Sequence, residues 1–150
     1  MANSYTQILI HYIFSTKRRE KLIFPKYEKR IWQFMGGISK HNGIVTYAIG
    51  GIEDHVHLLI SLPKTLSVAK AIQLIKGGSS SWIHTTFTEL KNFAWQEGYG
   101  AFSVSYSKLE KVKTYIENQK EHHRHRSFKE EYLEFLKRYN IPYDEKYIWD

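Results

Sequence analysis

An α+β fold is predicted by the order of the elements, by their spacing and by the length of the chain. Four strand-length runs and two helical stretches alternate as strand, helix, strand, strand, helix, strand, and two further helices follow. The 150 residues are one domain's worth of chain, and at 42% hydrophobic they can bury a core without staples.

"YTQILIHYIFS" (5–15), rich in β-branched and aromatic residues, reads as a long first strand. A basic connection leads to a helix over about 26–40, where Tyr27, Ile31, Phe34 or Met35, and Ile38 recur at helical spacing. His41, Asn42 and Gly43 supply its stop, because Asn and Gly tolerate a left-handed turn. "IVTYAIGGI" and "HVHLLISL" then read as a hairpin across the pair Glu53-Asp54. Val68, Ile72, Ile75, Trp82 and Ile83 mark a second helix over 66–87, although "KGGSSS" in its middle can also be read as a linker. "GYGAFSVSYS" (98–107) alternates as a fourth strand. Ser107 with Glu110, and Ser127 with Glu130, are capping-box patterns that open two last helices, ending near 125 and 140. The tail "YDEKYIWD" is aromatic enough to dock on the body or on a partner subunit. This order is that of a ferredoxin-like (RRM-like) split βαβ fold: an antiparallel sheet with helices on one face, plus a C-terminal helical extension over 127–150.

The chain has no cysteine, which excludes disulfides and thiolate metal sites and fits a reducing compartment. "MANSYTQILIHYIF" lacks the features of a signal peptide, and no apolar run approaches the ~18 residues of a membrane span, so a soluble, cytoplasmic protein is expected. The formal net charge of +7 favours a polyanionic partner, because neutralised phosphates release counterions.

In "GGIEDHVHLLISLP" the side chains of His55 and His57 share one strand face, opposite Val56 and Leu58. Their imidazoles can converge on one ion or one phosphate. With the helices on the other face, they look outward. The plainer alternative is a pair of hydrogen-bonded strand histidines, and two ligands leave a metal site incomplete.

The helix "KLEKVKTYIENQKEHHRH" carries an apolar stripe of Leu109, Val112 and Ile116. Tyr115 and Gln119 lie on its margin, stacked at i, i+4, and His122 continues that edge. A tyrosine hydroxyl and an amide oxygen are thereby carried together.

"DHVHLLIS" with the later "VKTYIENQKEHH" resembles the single-tyrosine transposases of small insertion sequences that move as single-stranded DNA, members of the HUH nuclease superfamily. The similarity extends from "HYIFSTK" through "GYGAFSVS" to the Tyr/Gln helix. It implies that His55, His57 and Gln119 hold a divalent metal, Mg²⁺ or Mn²⁺, and that Tyr115 is the nucleophile. It implies one HUH nuclease domain over 1–150 that cleaves and rejoins single-stranded DNA beside hairpins through a 5′-phosphotyrosine. Mobile-element members work as homodimers with shared active sites, whereas a related group tied to repeated palindromes (REP) acts in cis. A free tyrosine, with a pKa of about 10, needs help from the metal or a base. Strand transfer conserves bond energy, and the chain has no P-loop pattern.

Tyr106 is the rival nucleophile, and His122, then His123, the rival third ligands; His11 either lines the site or simply sits in the sheet, and the latter is favoured. DNA contacts are expected from Lys17, Arg18, Arg19 and Lys21 in the first loop and from Lys70 and Lys76 beside Gly77 and Gly78. A nucleic-acid-binding module without chemistry is the second reading, but "GYGAFSVSYS" lacks an RNP-like aromatic pattern. A two-histidine phosphoesterase would need a second motif, for which "HTT" at 84–86 is the only candidate.

Overall fold

The computed structural model describes residues 3–149, so Met1, Ala2 and Asp150, which the expected domain and tail include, lie outside it. Its elements are β1 (Leu9–Ser15), α1 (Pro25–His41), β2 (Val45–Ile52), β3 (His55–Ser61), α2 (Val68–Thr86), β4 (Gly100–Val104), α3 (Leu109–Glu117), α4 (Gln119–His122) and α5 (Phe128–Arg138). The four strands form one sheet in the order β2-β3-β1-β4, and every neighbouring pair is antiparallel. This is the predicted split βαβ topology. Ile52 opposite His55 closes the expected hairpin across Glu53 and Asp54.

The central strands β1 and β3 are buried on both faces, which is why they read as unbroken apolar runs. Ile10, Tyr12 and Phe14 of β1 join Val56, Leu58 and Ile60 of β3 in the main core, packed with Ile31 and Met35 of α1 and Ile72 and Ile75 of α2. The alternate residues face the other way. There Leu9 and Leu59 meet Leu109 and Ile116 of α3, while Ile13 meets Phe128, Phe135 and Leu136 of α5. Thus α1 and α2 cover one face as expected, and the C-terminal helices cover the other. The histidine face does not look outward.

Helix α2 runs unbroken through "KGGSSS", so the linker alternative falls. The small residues serve packing. A Cβ on Gly78 would lie 2.9 Å from Ile38 Cδ1 of α1, while Ser79 accepts the Trp95 indole N–H at 3.0 Å and donates to the Ile75 carbonyl at 2.6 Å.

The Ser127–Glu130 capping box forms reciprocally. The Ser107–Glu110 box does not. The chain enters α3 through a 3₁₀ turn over Tyr106–Lys108, so Ser107 lies inside that turn and its hydroxyl pairs with Ser105. The single helix expected to reach about 125 also breaks at Asn118 (φ −103°, ψ 27°), between Tyr115 and Gln119. The aromatic tail docks on the body: Trp149 stacks under Arg19 and Lys129, 6.0 Å from the Tyr132 ring.

Candidate functional site

Because side chains alternate along β3, His55 and His57 both project toward α3–α5, and both are completely buried. Each imidazole is held by its Nδ1. His55 Nδ1 donates to the Asp54 carboxylate at 2.8 Å, and His57 Nδ1 accepts from His11 Nε2 at 2.8 Å. The two Nε2 atoms are thereby aimed at one point. That point lies beside Glu131, from α5. Its Oε1 lies 2.9 Å from His57 Nε2, 3.1 Å from His123 Nε2 and 3.4 Å from His55 Nε2. Gln119 Oε1 is 3.0 Å from His55 Nε2, so the amide faces the same centre.

This is a charged cluster taken out of water, and the protonation states follow from it. Burial opposes charge on His55, but Asp54 and Glu131 on either side outweigh it and raise the imidazole to about 9. His57 and His11 are held below 6.5, chiefly by burial. Burial alone would keep Glu131 protonated. The neighbouring His57 and the hydrogen bonds from His123, His55 and His57 instead hold its carboxyl far below the usual carboxylate range.

His55, His57, His123 and Glu131 offer one donor atom each within 4.8 Å of one another. The carboxylate oxygen lies 2.9–3.4 Å from the three imidazole nitrogens, close enough for all four to face one ion. The Nδ1 partners of His55 and His57 are the outer contacts that orient metal-binding imidazoles. This buried group can therefore hold a metal, with Gln119 on its edge.

Tyr115 reaches the same carboxylate from the other side. Its hydroxyl donates to Glu131 Oε2 and accepts from Arg126 Nη2 at 2.5 Å. Its ring lies 5.9 Å from that of His57 and stacks on His122 at 4.4 Å. Burial first, and then the Glu131 charge, push the phenol above its ordinary value of 10, with Arg126 opposing them. The position of α3 rests on Gly50 of β2, where a Cβ would come within 2.3 Å of the Ile116 carbonyl oxygen. After the break at Asn118, Gln119 turns inward and its amide N–H bonds the Tyr115 carbonyl at 3.3 Å.

The structure thus brings together His55, His57, Tyr115 and Gln119. It adds His123, ranked below His122 on sequence; His122 stays outside, on the tyrosine ring. Of the two readings of His11, the less favoured one holds: it borders the site as the partner of His57. Glu131 and Arg126 were missed altogether. The available signal was an acid inside the apolar stripe of α5, three residues after Phe128 and four before Phe135. Tyr106 is 67% exposed and outside the cluster.

Among the expected DNA contacts, the loop of Lys17, Arg18, Arg19 and Lys21 leaves β1 at Ser15, which pairs with His55. It therefore borders the site. Arg19 is engaged with Trp149, through the carbonyl at 3.1 Å and over the ring. Lys70 and Lys76 lie on α2, across the sheet from the histidines. The Lys76 ammonium donates to the carbonyls of Gln96, Glu97 and Gly98 at 2.6–3.1 Å.

The family model described as "Transposase IS200 like" matches residues 4–119. The ISDra2 transposase TnpA of Deinococcus radiodurans is 24% identical over 118 residues, covering 75% of this chain and 84% of that protein. The transposase for insertion sequence element IS200 of Salmonella typhimurium is 23% identical over 116 residues, covering 74% and 76%. Among solved structures, a transposase from Deinococcus radiodurans superposes with a TM-score of 0.65 at 24% identity, over 79% of this chain and 96% of the other. A REP-associated tyrosine transposase bound to a REP hairpin superposes at 0.56 and 14% identity, over 77% and 68%.

Proposed function

This chain belongs to the IS200-like transposase family, and from that premise we propose that it cuts and rejoins single-stranded DNA with Tyr115 as nucleophile. One observation carries the reading. Two pairs some sixty residues apart meet at one buried carboxylate: His55, His57 and Tyr115 reach Glu131, and Gln119 reaches His55. A core histidine pair serving stability alone gives no reason for a tyrosine hydroxyl, a guanidinium and an amide to meet there.

In this reading Tyr115 Oη attacks the scissile phosphorus, the new Oη–P bond replaces the P–O3′ bond, and the leaving oxygen becomes a 3′-OH. A later 3′-OH attacks the phosphotyrosine and frees the enzyme. Glu131 accepts the phenolic hydrogen bond, and Arg126 sits where it can balance negative charge on Oη. His55 and His57, with Gln119 or with His123 and Glu131, would hold a divalent ion, which would supply positive charge to the phosphate and the leaving oxygen. The nitrogen-rich donor set favours Mn²⁺ over Mg²⁺, which prefers oxygen ligands.

The substrate is single-stranded DNA carrying a hairpin, as in the hairpin-bound relative, and the basic loop bordering His55 supports a phosphate path there. The C-terminal extension belongs to the same cytoplasmic nuclease unit, to which α5 supplies Glu131. Within one chain Tyr115 and His57 share Glu131, which supports action in cis. Homodimers sharing sites remain the alternative that mixing of variants tests. No helix among the described residues is long and apolar enough to cross a membrane.

The test is covalent capture. Wild-type protein with Mn²⁺ and hairpin-bearing single strands is expected to form an adduct stable in denaturing gels. Tyr115→Phe is expected to abolish it while hairpin binding persists. An undiminished adduct in that variant overturns the assignment.

A further inference from the structure

At the end of β1 away from the basic loop, β4, the start of α3 and the last turn of α5 enclose a cavity of about 390 Å³, with Tyr115 in its wall. Lys108, Lys111 and Arg138 line it, and no carboxylate does. Among the described residues, none of the three is paired with an acid. Three uncompensated cations around a partly enclosed space focus a positive field and attract an anion. The rest of the lining is of another kind. Val112, Phe135 and Tyr139 give it apolar and aromatic walls, and the Tyr139 ring is fixed by packing on Phe102 and by a 3.2 Å bond from its hydroxyl to the Ser103 carbonyl.

We propose that this cavity is a subsite for one nucleotide of the DNA strand, adjoining the phosphate that Tyr115 attacks. The proposal rests on the transposase reading and adds a site to it. The cations take the phosphate, and Tyr139 offers the base a stacking surface. The volume lies in the range of roughly 300–1,000 Å³ typical of small-ligand pockets. Arg138, Phe135 and Tyr139 all come from beyond residue 119, where the family match ends. The nucleotide preference at this position is thus written in the C-terminal segment of this chain.

The probe is the set of four deoxynucleoside 3′,5′-bisphosphates, titrated into the full-length protein by calorimetry. Saturable binding of one equivalent is expected, with one base preferred. Lys108→Gln/Lys111→Gln/Arg138→Gln is expected to weaken it by about tenfold or more and to flatten its salt dependence. Val112→Trp, which fills the cavity without touching charge, is expected to abolish it, whereas Lys29→Gln, an exposed charge on α1 across the sheet, leaves it. Single Lys111→Gln, at an exposed position, reads the same loss if the triple variant folds poorly. Binding unchanged by Val112→Trp, binding lost as far in Lys29→Gln as in the triple variant, or no saturable binding of any of the four overturns the subsite. Adduct formation through Tyr115 is scored separately on hairpin DNA. An adduct without cavity binding removes the subsite alone, and no adduct removes the nuclease reading.

Discussion

Glu131 sets one carboxylate oxygen among three imidazoles and the other against the Tyr115 hydroxyl, so a single substitution there tests both halves of the site. Removing one member of a buried charged cluster typically costs about 3–5 kcal/mol. Glu131→Gln keeps the shape and loses the charge. It is expected to lower the melting temperature and to weaken Mn²⁺ binding by about tenfold or more in calorimetry; unchanged affinity would remove Glu131 from the ligand set. The histidines also fix a pH signature for protein kept in chelator. His55 is raised from 6.5 to about 9, so its contribution is complete below 6.5 and is lost as pH rises through 9. His57 and His11 are lowered, so theirs is complete above 6.5 and is lost as pH falls. Stability against urea should therefore peak near pH 6.5, and Asp54→Asn should flatten the alkaline limb. A monotonic profile would contradict these assignments. On sequence, strand alternation put His55 and His57 on one face, while Tyr115 and Gln119 were singled out by the resemblance of their helix to the transposase family. Glu131 was not, because only the docking of α5 says that its apolar stripe lies over histidines.

Helix α3 touches the sheet through backbone. At Gly50 a Cβ would meet the Ile116 carbonyl oxygen at 2.3 Å, one residue from Tyr115. Gly50→Ala must lift α3 from β2 and move the tyrosine; such overpacking usually costs about 1–3 kcal/mol. Adduct formation should fall at least as far as stability does, and wild-type adduct rates in a folded Gly50→Ala protein would refute the close contact. Gly77 provides the contrast. It lies in α2 with open space where a Cβ would be, so Gly77→Ala should stabilise by roughly 0.5–1 kcal/mol through helix propensity alone. Gly78, against Ile38, should show no such gain. Both glycines read alike in "KGGSSS". The capping boxes make the same point: Ser127–Glu130 and Ser107–Glu110 match one pattern, yet only the first forms, because a 3₁₀ turn already occupies the entrance to α3.

For the whole molecule, the question is whether one chain suffices. Tyr115 and Glu131 reach the histidines of their own chain. Mixing His55→Ala/His57→Ala protein with Tyr115→Phe protein should therefore restore no adduct. Recovered activity in the mixture, with a dimeric mass by light scattering, would show that the tyrosine helices are exchanged. The sequence by itself determined the order of the elements and the hairpin that sets His55 and His57 on one face. These are local consequences of backbone periodicity and turn chemistry. Only the tertiary structure decided that the C-terminal helices close over that face, that Glu131, His123, Arg126 and His11 join the site, and that Lys76 is spent on carbonyls. Those outcomes depend on how helices dock across the sheet. That docking is settled by the fit of surfaces distant along the chain, to which no local spacing is sensitive.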